Sequence, residues 1–462
     1  MQIRFLFFLC VVVLLIKIIA IYITEFDLFG DEAQYWIWSQ NPDFGYYSKP
    51  PLLAWLIALV CSFFGNNFEV LKLIPVCLYC VSSYVVYLVS NILYNNKKLA
   101  ILTGLTFFLL PAVTVSSFLI STDTVLILFW SLSLFQILKI RSAPTLGNFI
   151  LLGIFLGLSF LAKYAAVYFL LSIPLLLLDK KYRGIFVKKY TYVVVFILSL
   201  LIVLTPNIFW NIKNNWLTFN HLLDNAGLDR ININLFHGLE FIFSQILMIG
   251  PIIFAVFLIL LKKINLTFET KFLLFFSIPI FLIVLFESIL VRANANWAAV
   301  SLISFNILFV HLVYQFSKRM LLINALFNFL IGIIFFTLIA TTYSFGYFDR
   351  INGISSFTKK ITQLQKDKKN ILVINDRLLF SNLNYVLRNA DVTFYMPYKP
   401  GNKVTNHFQL VSPLPSEINK NFIFMGYPEH LNYLINDYKL INIKSEKVLF
   451  TSNPIKIYEV IF

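Results

Sequence analysis

Two adjacent carboxylates and a lysine follow the first apolar segment of the chain, and their types suit them to chemistry. Asp31 and Glu32 come directly after Gly30, and Lys49 precedes a double proline. A carboxylate can take a proton from a hydroxyl group, and a lysine can stabilise negative charge on a departing group. Ionisable side chains this close to an apolar span are costly, so they usually have a function. These three residues are the first candidates for an active site.

The composition identifies the class of protein that must position these residues. Of the 462 residues, 59% are hydrophobic and 13% are charged, and the mean hydropathy is +0.80. In soluble globular domains about a quarter of all residues are charged, so the class of soluble globular proteins is excluded. The net charge of +15 does not indicate nucleic-acid binding, because the basic residues separate apolar runs and form no single basic face. The sequence predicts an all-α polytopic membrane protein whose first partner is the lipid bilayer.

Apolar runs of spanning length recur along residues 1–345, the predicted transmembrane domain. They number about eleven or more, at residues 5–24, 71–93, 99–119, 124–138, 149–162, 164–178, 190–210, 238–261, 272–290, 298–316 and 321–345. If the N-terminus is inside, lysine and arginine concentrate in the inner loops, as expected of cytoplasmic loops. The outer loops then retain only Lys49, Lys72, Lys163, Lys213, Arg230 and Arg292. We expect a multi-pass protein of the cytoplasmic membrane with Asp31 on the outer side.

The first outer loop, about residues 25–70, contains a shorter apolar stretch. Residues 51–64 begin with the double proline and are too short for a full crossing, so they predict an interfacial or re-entrant helix. The first apolar span is expected to stay as an anchor, since its core is too long for a secretory signal and no small-residue cleavage site follows it.

From residue 346 to 462 the composition changes to that of a small soluble α/β domain, which the topology places outside the cytoplasm. Strands are predicted at residues 370–374, 392–395, 422–425 and 455–461, and helices at 381–388 and 429–436. Neither disulfides nor a metal site are indicated. The four cysteines (Cys10, Cys61, Cys77, Cys80) lie in apolar segments, and the five histidines show no paired ligand spacing. A divalent metal cofactor is an open alternative without support in the sequence.

The first outer loop resembles that of the dolichyl-phosphate-mannose:protein mannosyltransferase superfamily, and especially the bacterial branch related to the lipid A aminoarabinose transferase. The resemblance continues in the same order to about residue 430. Its segments are Ser121-Thr122-Asp123-Thr124, residues 157–164 (Gly-Leu-Ser-Phe-Leu-Ala-Lys-Tyr), residues 206–211 (Pro-Asn-Ile-Phe-Trp-Asn) with Trp216 and Phe219, Asn294-Ala295-Asn296-Trp297, and, in the tail, Asn375-Asp376-Arg377 and Asn406-His407-Phe408.

This resemblance implies a GT-C glycosyltransferase that moves a sugar from a polyprenyl phosphate to an envelope acceptor, which is a glycan such as lipopolysaccharide, a lipid such as lipid A, or a protein. Asp31 holds the catalytic position of the family, and Glu32 is the second acid. The donor phosphate is expected to contact cations, namely Lys49, Lys163 and Arg292. The expected substrate-binding residues are Gln34, Tyr35, Asp123, Asn296 and Trp297.

The sequence departs from the aminoarabinose branch at two positions. Gln34 stands where that branch has arginine, three residues after the catalytic aspartate, and Ser48 stands where it has glutamate. A glutamine supplies no charge, so both departures weaken the assignment of that particular sugar. The absence of a glycine-rich phosphate loop and of a D-x-D motif favours a lipid-linked donor over a sugar nucleotide.

Structural roles remain alternatives for several of these residues. Asp31 and Glu32 also fit an N-cap and a first-turn acid, Lys49 fits an interfacial anchor, and Asp123 fits an N-cap. A different function, that of a secondary transporter or lipid flippase, would also place charges in a membrane protein. Transporters usually show internal repeats or interrupted helices with polar residues at mid-membrane, and the sequence shows no such repeat.

Overall fold

The computed structural model describes residues 2–227, 231–344, 346–364, 371–451 and 453–462. The chain divides into two compact units, each described here by itself. The helical unit comprises Met1–Ile21, Lys49–Leu53 and Glu69–Thr337. The mixed unit comprises Tyr22–Ser48, Ala54–Phe68 and Leu338–Phe462, so it combines most of the first predicted outer loop with the tail.

Helices account for most of the chain up to residue 340. They are α1 (Gln2–Ile23), α2 (Gly30–Gln40), α3 (Leu52–Phe64), α4 (Phe68–Tyr94), α5 (Lys97–Phe108), α6 (Pro111–Ser116), α7 (Thr122–Ser142), α8 (Leu146–Ala162), α9 (Val167–Ser172), α10 (Lys180–Lys188), α11 (Tyr190–Lys213), α12 (Leu217–Ala226), α13 (Leu235–Ile249), α14 (Pro251–Leu260), α15 (Phe268–Phe275), α16 (Ile278–Leu290), α17 (Ser301–Phe316) and α18 (Lys318–Ala340).

Six helices in the described part of the chain are long and apolar enough to cross a bilayer. The bent pair formed by α13 and α14 makes a seventh if it is counted as one span. Shorter apolar helices occur at Leu52–Phe64, Leu146–Ala162, Tyr164–Leu178 and Ser301–Phe316. The protein is therefore a multi-pass, mostly helical membrane protein, while the number of about eleven spans stays a prediction.

Two of the predicted spans are broken, and each break has a local cause. Between α13 and α14 the chain bends by 103°. Gly250 occupies this break with a backbone φ of +102°, which residues other than glycine rarely adopt. Pro251 begins the next helix. The run at residues 99–119 is likewise divided, because Pro111 starts α6 and does not continue α5.

Close packing of α8 against α11 depends on a small-residue stripe. A Cβ atom on Gly153 would lie 2.0 Å from Ser199 Oγ and 2.5 Å from the Phe196 carbonyl oxygen. One helical turn later, a Cβ atom on Gly157 would lie 2.8 Å from Val203 Cβ. Glycines four residues apart allow the backbones of neighbouring apolar helices to approach closely. The same helix packs against α7 on another side, which brings the start of α7 near the end of α8.

The tail forms a five-stranded sheet with helices. Its elements are α19 (Ile354–Leu364), β1 (Ile371–Ile374), α20 (Arg377–Val386), β2 (Thr393–Tyr395), α21 (Phe408–Val411), β3 (Phe422–Met425), β4 (Lys439–Glu446) and β5 (Ile455–Ile461). The strand order is β2-β1-β3-β5-β4, with the first three strands parallel and β5 antiparallel to both β3 and β4. Strands β1 and β3 are buried in the centre of the sheet, and α20 begins shortly after the carboxyl end of β1.

The sequence predicted most of this domain correctly and missed one strand. Strands were expected over the segments now seen as β1, β2, β3 and β5, although residue 370 lies outside the described residues. The helix expected at 381–388 begins four residues earlier, because Asp376 caps it. At 429–436 the structure instead has a short 3-10 turn, Pro428–Leu431. Strand β4 was not predicted.

Candidate active site

The start of α2 is built by a glutamate cap and a glycine. Glu32 is buried, and its Oε2 accepts a hydrogen bond from the Phe29 amide at 2.8 Å, which is the glutamate half of a capping box. A Cβ atom on Gly30 would lie 2.7 Å from Leu378 Cβ, so glycine is needed for α2 to pack against α20. Glu32 therefore fixes the start of α2. The neighbouring Asp31 faces solvent, with 60% of its side chain exposed.

Arg377, the first residue of α20, joins the tail to Asp31 and Gln34. Its Nη1 donates to Asp31 Oδ1 at 2.8 Å and to Gln34 Oε1 at 2.6 Å. The start of α20 is fixed by Asp376, whose Oδ1 accepts from the Leu379 amide at 2.7 Å. The sequence noted Asn375-Asp376-Arg377 only as part of the tail resemblance and did not assign Arg377 to the site. The available signal was the missing charge at Gln34, which this guanidinium contacts.

A cleft of about 680 Å³ opens beside Asp31 and Arg377 within the mixed unit. Its wall consists of the starts of α2 and α20 together with loops at the edge of the sheet. Both apolar and polar side chains line it, and the polar ones include Asn382, Asn406, Asn453 and Lys456. The arrangement can hold a hydrophilic molecule next to an exposed carboxylate.

Other contacts within the mixed unit bind the first loop to the tail. The Ser355 hydroxyl and amide both donate to the Asp27 carboxylate. Burial raises the pKa of that carboxyl, and the hydrogen bonds from Ser355 oppose this rise. Trp38 stacks on Tyr46 with ring centroids 4.4 Å apart, and His407 meets both rings edge-on. Burial lowers the pKa of His407 to about 4, although Asp43 opposes this shift.

In the helical unit, Asp123, Lys163 and Asn296 form a second polar cluster. Lys163, which follows α8, donates from Nζ to Asp123 Oδ1 at 2.7 Å. Asn296 Nδ2 donates to Asp123 Oδ2 at 2.8 Å. Both carboxylate oxygens of Asp123 are therefore occupied, and three residues that the sequence assigned to substrate or phosphate contact one another.

The segments that carried the resemblance also meet in the helical unit. The Tyr164 hydroxyl donates to Asn207 Oδ1 at 2.8 Å, and Asn211 Nδ2 donates to the Tyr164 hydroxyl at 3.3 Å. The Tyr164 ring stacks on Phe219 at 4.8 Å. Because Tyr164 follows Lys163 directly, these bonds help to fix the position of the lysine.

Four further candidate residues from the sequence are Lys49, Arg292, Trp297 and Tyr35. Lys49 is half-buried in the segment before α3, which belongs to the helical unit. Arg292 is exposed after α16, and Trp297 is half-buried in a 3-10 turn. Tyr35 is buried and packs edge-on against Trp38. Within the described residues no cluster of three or more histidine, cysteine, aspartate or glutamate side chains is arranged to hold a metal ion.

Lys72 departs from its expected environment. It was counted among the outer-loop charges, but it lies inside α4 and is fully buried. Its Nζ donates to the Phe118 carbonyl oxygen at 3.1 Å and lies 4.1 Å from the centre of the Phe118 ring. Lys72 is therefore not a loop cation, and the predicted contrast in charge between inner and outer loops grows.

Known proteins resemble the chain in both sequence and fold. Residues 48–210 match the family described as dolichyl-phosphate-mannose-protein mannosyltransferase. The chain is 28% identical over 412 residues to the lipid A galacturonosyltransferase RgtD of Rhizobium johnstonii, with 86% of each protein covered. The lipopolysaccharide core galacturonosyltransferase RgtB of that organism is 30% identical over 143 residues, which are 30% of this chain and 29% of RgtB.

A solved structure of ArnT from Cupriavidus metallidurans bound to undecaprenyl phosphate has a TM-score of 0.72 and 12% identity, and covers 99% of this chain and 98% of that one. The chain is a glycosyltransferase, and its fold is similar to that of ArnT. The resemblance seen in the sequence is thereby confirmed, as is the assignment to an enzyme related to ArnT. The cleft of the mixed unit and the Asp123 cluster of the helical unit are each, by themselves, a candidate functional feature of this glycosyltransferase.

Proposed function

We propose that this glycosyltransferase moves a sugar from a polyprenyl-phosphate donor to an acceptor of the cell envelope on the outer face of the cytoplasmic membrane. The proposal rests mainly on one observation, the exposed Asp31 carboxylate. Arg377 donates a hydrogen bond to it, and both residues line the cleft. RgtD is a lipid A galacturonosyltransferase by name, and the similar ArnT structure contains undecaprenyl phosphate. The ArnT structure supports a lipid-linked donor, and the name of RgtD supports a lipid A type of acceptor. Another glycan or a protein are alternative acceptors.

Asp31 acts as the general base in this proposal. Transfer of the sugar requires removal of the proton from the acceptor hydroxyl while the oxygen attacks the anomeric carbon. The bond from Arg377 to Oδ1 fixes the orientation of the carboxylate, and its exposure lets a hydroxyl approach. Glu32 is less suited to this role because it is buried and caps α2.

Lys49 is the preferred cation for the departing lipid phosphate. A lysine near the reacting phosphate stabilises the charge that develops as the bond to the sugar breaks. Lys163 is another candidate, and its Nζ donates to Asp123, whose second oxygen is held by Asn296. Arg292 is exposed and is retained as a second candidate. Asn296 and Asp123 then position Lys163, while Gln34, Tyr35 and Trp297 remain proposed substrate contacts.

The proposal is tested with purified enzyme in detergent, an envelope acceptor and two types of donor. We expect transfer from a polyprenyl-phosphate sugar and none from the corresponding sugar nucleotide. A lipid-linked donor is the form in which an activated sugar reaches the outer face, because nucleotide sugars are kept in the cytoplasm. Transfer from the sugar nucleotide without any lipid carrier would overturn the proposal.

A further inference from the structure

We propose that the cleft of the mixed unit binds the saccharide headgroup of the acceptor, and that Arg377 recognises a negatively charged group on that headgroup, either a carboxylate or a phosphate. The proposal rests on the proposed function in one respect, since it takes Asp31 as the base that meets the acceptor hydroxyl. It assigns a substrate-binding role to the C-terminal domain.

The size and chemistry of the cleft fit a sugar headgroup. Its volume of about 680 Å³ lies within the range of small-molecule sites, roughly 300–1,000 Å³. Four asparagines line it, at positions 375, 382, 406 and 453. An amide side chain both donates and accepts hydrogen bonds, as do the hydroxyl groups of a sugar ring.

Asn382 supplies an unused acceptor in this wall. Its side chain is only 5% exposed, and its Oδ1 has no hydrogen-bond partner among the described residues. Leaving a buried acceptor unpaired costs about 1–3 kcal/mol, so such atoms usually have a ligand or a water molecule as partner. A sugar hydroxyl would donate to this oxygen after the amide turns toward the cleft, because the atom itself is buried.

Charge in the cleft favours an anion. The cations on its wall are Arg350, Arg377 and Lys456, and the acids are Asp31 and Asp376. Asp376 is already used as the N-cap of α20. The wall thus carries three cations and two acids, and this small positive excess attracts an anionic sugar more strongly than a neutral one.

The guanidinium of Arg377 is arranged to bind this anion while it holds Asp31. Both of its bonds, to Asp31 and to Gln34, use Nη1. Among the described residues Nη2 and Nε have no partner, and 37% of the side chain is exposed. These two N–H groups form the fork that pairs with a carboxylate or phosphate in the bidentate manner. One side chain can thus align the base and the anionic acceptor in the same site.

The acceptor is favoured over the donor as the occupant. A general base must lie within hydrogen-bond reach of the hydroxyl that it deprotonates, and Asp31 lines this cleft. A charged sugar on the donor is the competing occupant, and the experiment distinguishes the two.

The first measurement is binding by the full-length protein in detergent without any donor. Saturation-transfer NMR compares methyl galacturonoside and methyl galactoside as probes, with inorganic phosphate added as a competitor. We expect wild type to prefer the galacturonoside to the neutral galactoside by about tenfold, with phosphate as a competitor. Arg377→Gln should lose this preference, Arg377→Lys should retain part of it, and Asn382→Leu should weaken both glycosides.

Arg388→Gln is the matched control, because Arg388 lies after α20 and contacts Tyr385 but does not line the cleft. It should bind the probes as wild type does. Equal binding of charged and neutral glycosides by wild type, or an unchanged preference in Arg377→Gln, would overturn the proposal. Since no donor is present, a failure of the proposed transfer reaction leaves these results unaffected.

The second measurement separates the acceptor from the donor. Transfer kinetics are compared for an acceptor with its phosphate or carboxylate intact and for the same acceptor dephosphorylated or esterified. Arg377→Gln should lower kcat for both forms, because Asp31 loses its partner, and should raise KM about tenfold for the charged acceptor only. If the variant instead discriminates between charged and neutral donor sugars with one acceptor, the cleft binds the donor and the proposal fails.

Discussion

Lys163 Nζ donates to Asp123 Oδ1 across 2.7 Å, and this bond joins the end of α8 to the start of α7. The side chains are 16% and 13% exposed, so water screens the two charges only weakly. Asn296 occupies the other carboxylate oxygen. The bond therefore links two of the segments on which the family resemblance rests. Its loss should first affect the stability of the folded protein.

We expect this ion pair to show strong coupling in a double-mutant cycle. Removing one member of a buried pair leaves an uncompensated charge, which costs about 3–5 kcal/mol. Asp123→Asn and Lys163→Met should each lower the free energy of unfolding, while the double variant should lose clearly less than the sum. Unfolding of the purified protein in detergent measures all three. Arg292→Met is the control and should change stability by less than about 0.5 kcal/mol, because the residue is exposed. Additive losses would contradict the coupling.

Local features of the site were readable from the sequence. The acids after Gly30, the apolar runs and the order of the resembling segments all depend on neighbours in the chain. Strand β4 was missed because its exposed face carries lysines and polar residues, which interrupt the apolar pattern of an edge strand.

The bond between Asp31 and Arg377 was out of reach for a different reason. The two residues are 346 positions apart, and no period or motif relates them. Their meeting depends on the packing of α2 against α20, which in turn needs Gly30 opposite Leu378. The pairing of Lys163 with Asp123 likewise follows from the packing of α7 and α8. Such contacts arise from tertiary structure and leave no local signal.

Asp31→Asn should abolish transfer while the protein still inserts and folds. The amide has nearly the same volume but cannot accept the proton, and loss of a general base costs roughly 100- to 10,000-fold in rate. Turnover of purified enzyme with lipid-linked donor measures the effect. Glu32→Gln is the matched control, because glutamine can keep the capping bond to Phe29. It should remain within a few-fold of wild type, and a reversed order of the two variants would assign the base to Glu32.

Lys49→Ala should impair use of the donor much more than Lys49→Arg. Loss of the positive charge is expected to lower kcat/KM for the lipid donor by about 100-fold, whereas arginine retains charge on the phosphate. Kinetics at varied donor concentration compare the two variants. Lys213→Ala, at an exposed position at the end of α11, should behave as wild type. Full activity of Lys49→Ala would return this lysine to a role as an interfacial anchor.

The mixed unit should lose stability in mild acid through His407. Burial lowers its folded pKa to about 4, against about 6.5 in an unfolded chain. The unfolded state therefore binds the proton more readily, so stability is complete above pH 6.5 and falls as the pH drops toward 4, by about 3 kcal/mol. Thermal unfolding across this range should show a steeper loss in wild type than in His407→Phe, whose ring can pack against Trp38 and Tyr46. Parallel curves would show that His407 does not contribute.

The tail should lie outside the cytoplasm, together with Asp31. Asp31 and Arg377 are bonded within one compact unit, so the loop and the tail must be on the same side of the membrane. The distribution of lysine and arginine places the loops before α5 and before α11 inside, and this orients the rest. A phosphatase that is active only in an oxidising exterior, fused after Phe462, should be active in intact cells. The same reporter fused after Lys181, in the predicted inner loop before α11, should be inactive. Activity restricted to the second fusion would invert the topology and place the proposed base on the side where nucleotide sugars are available.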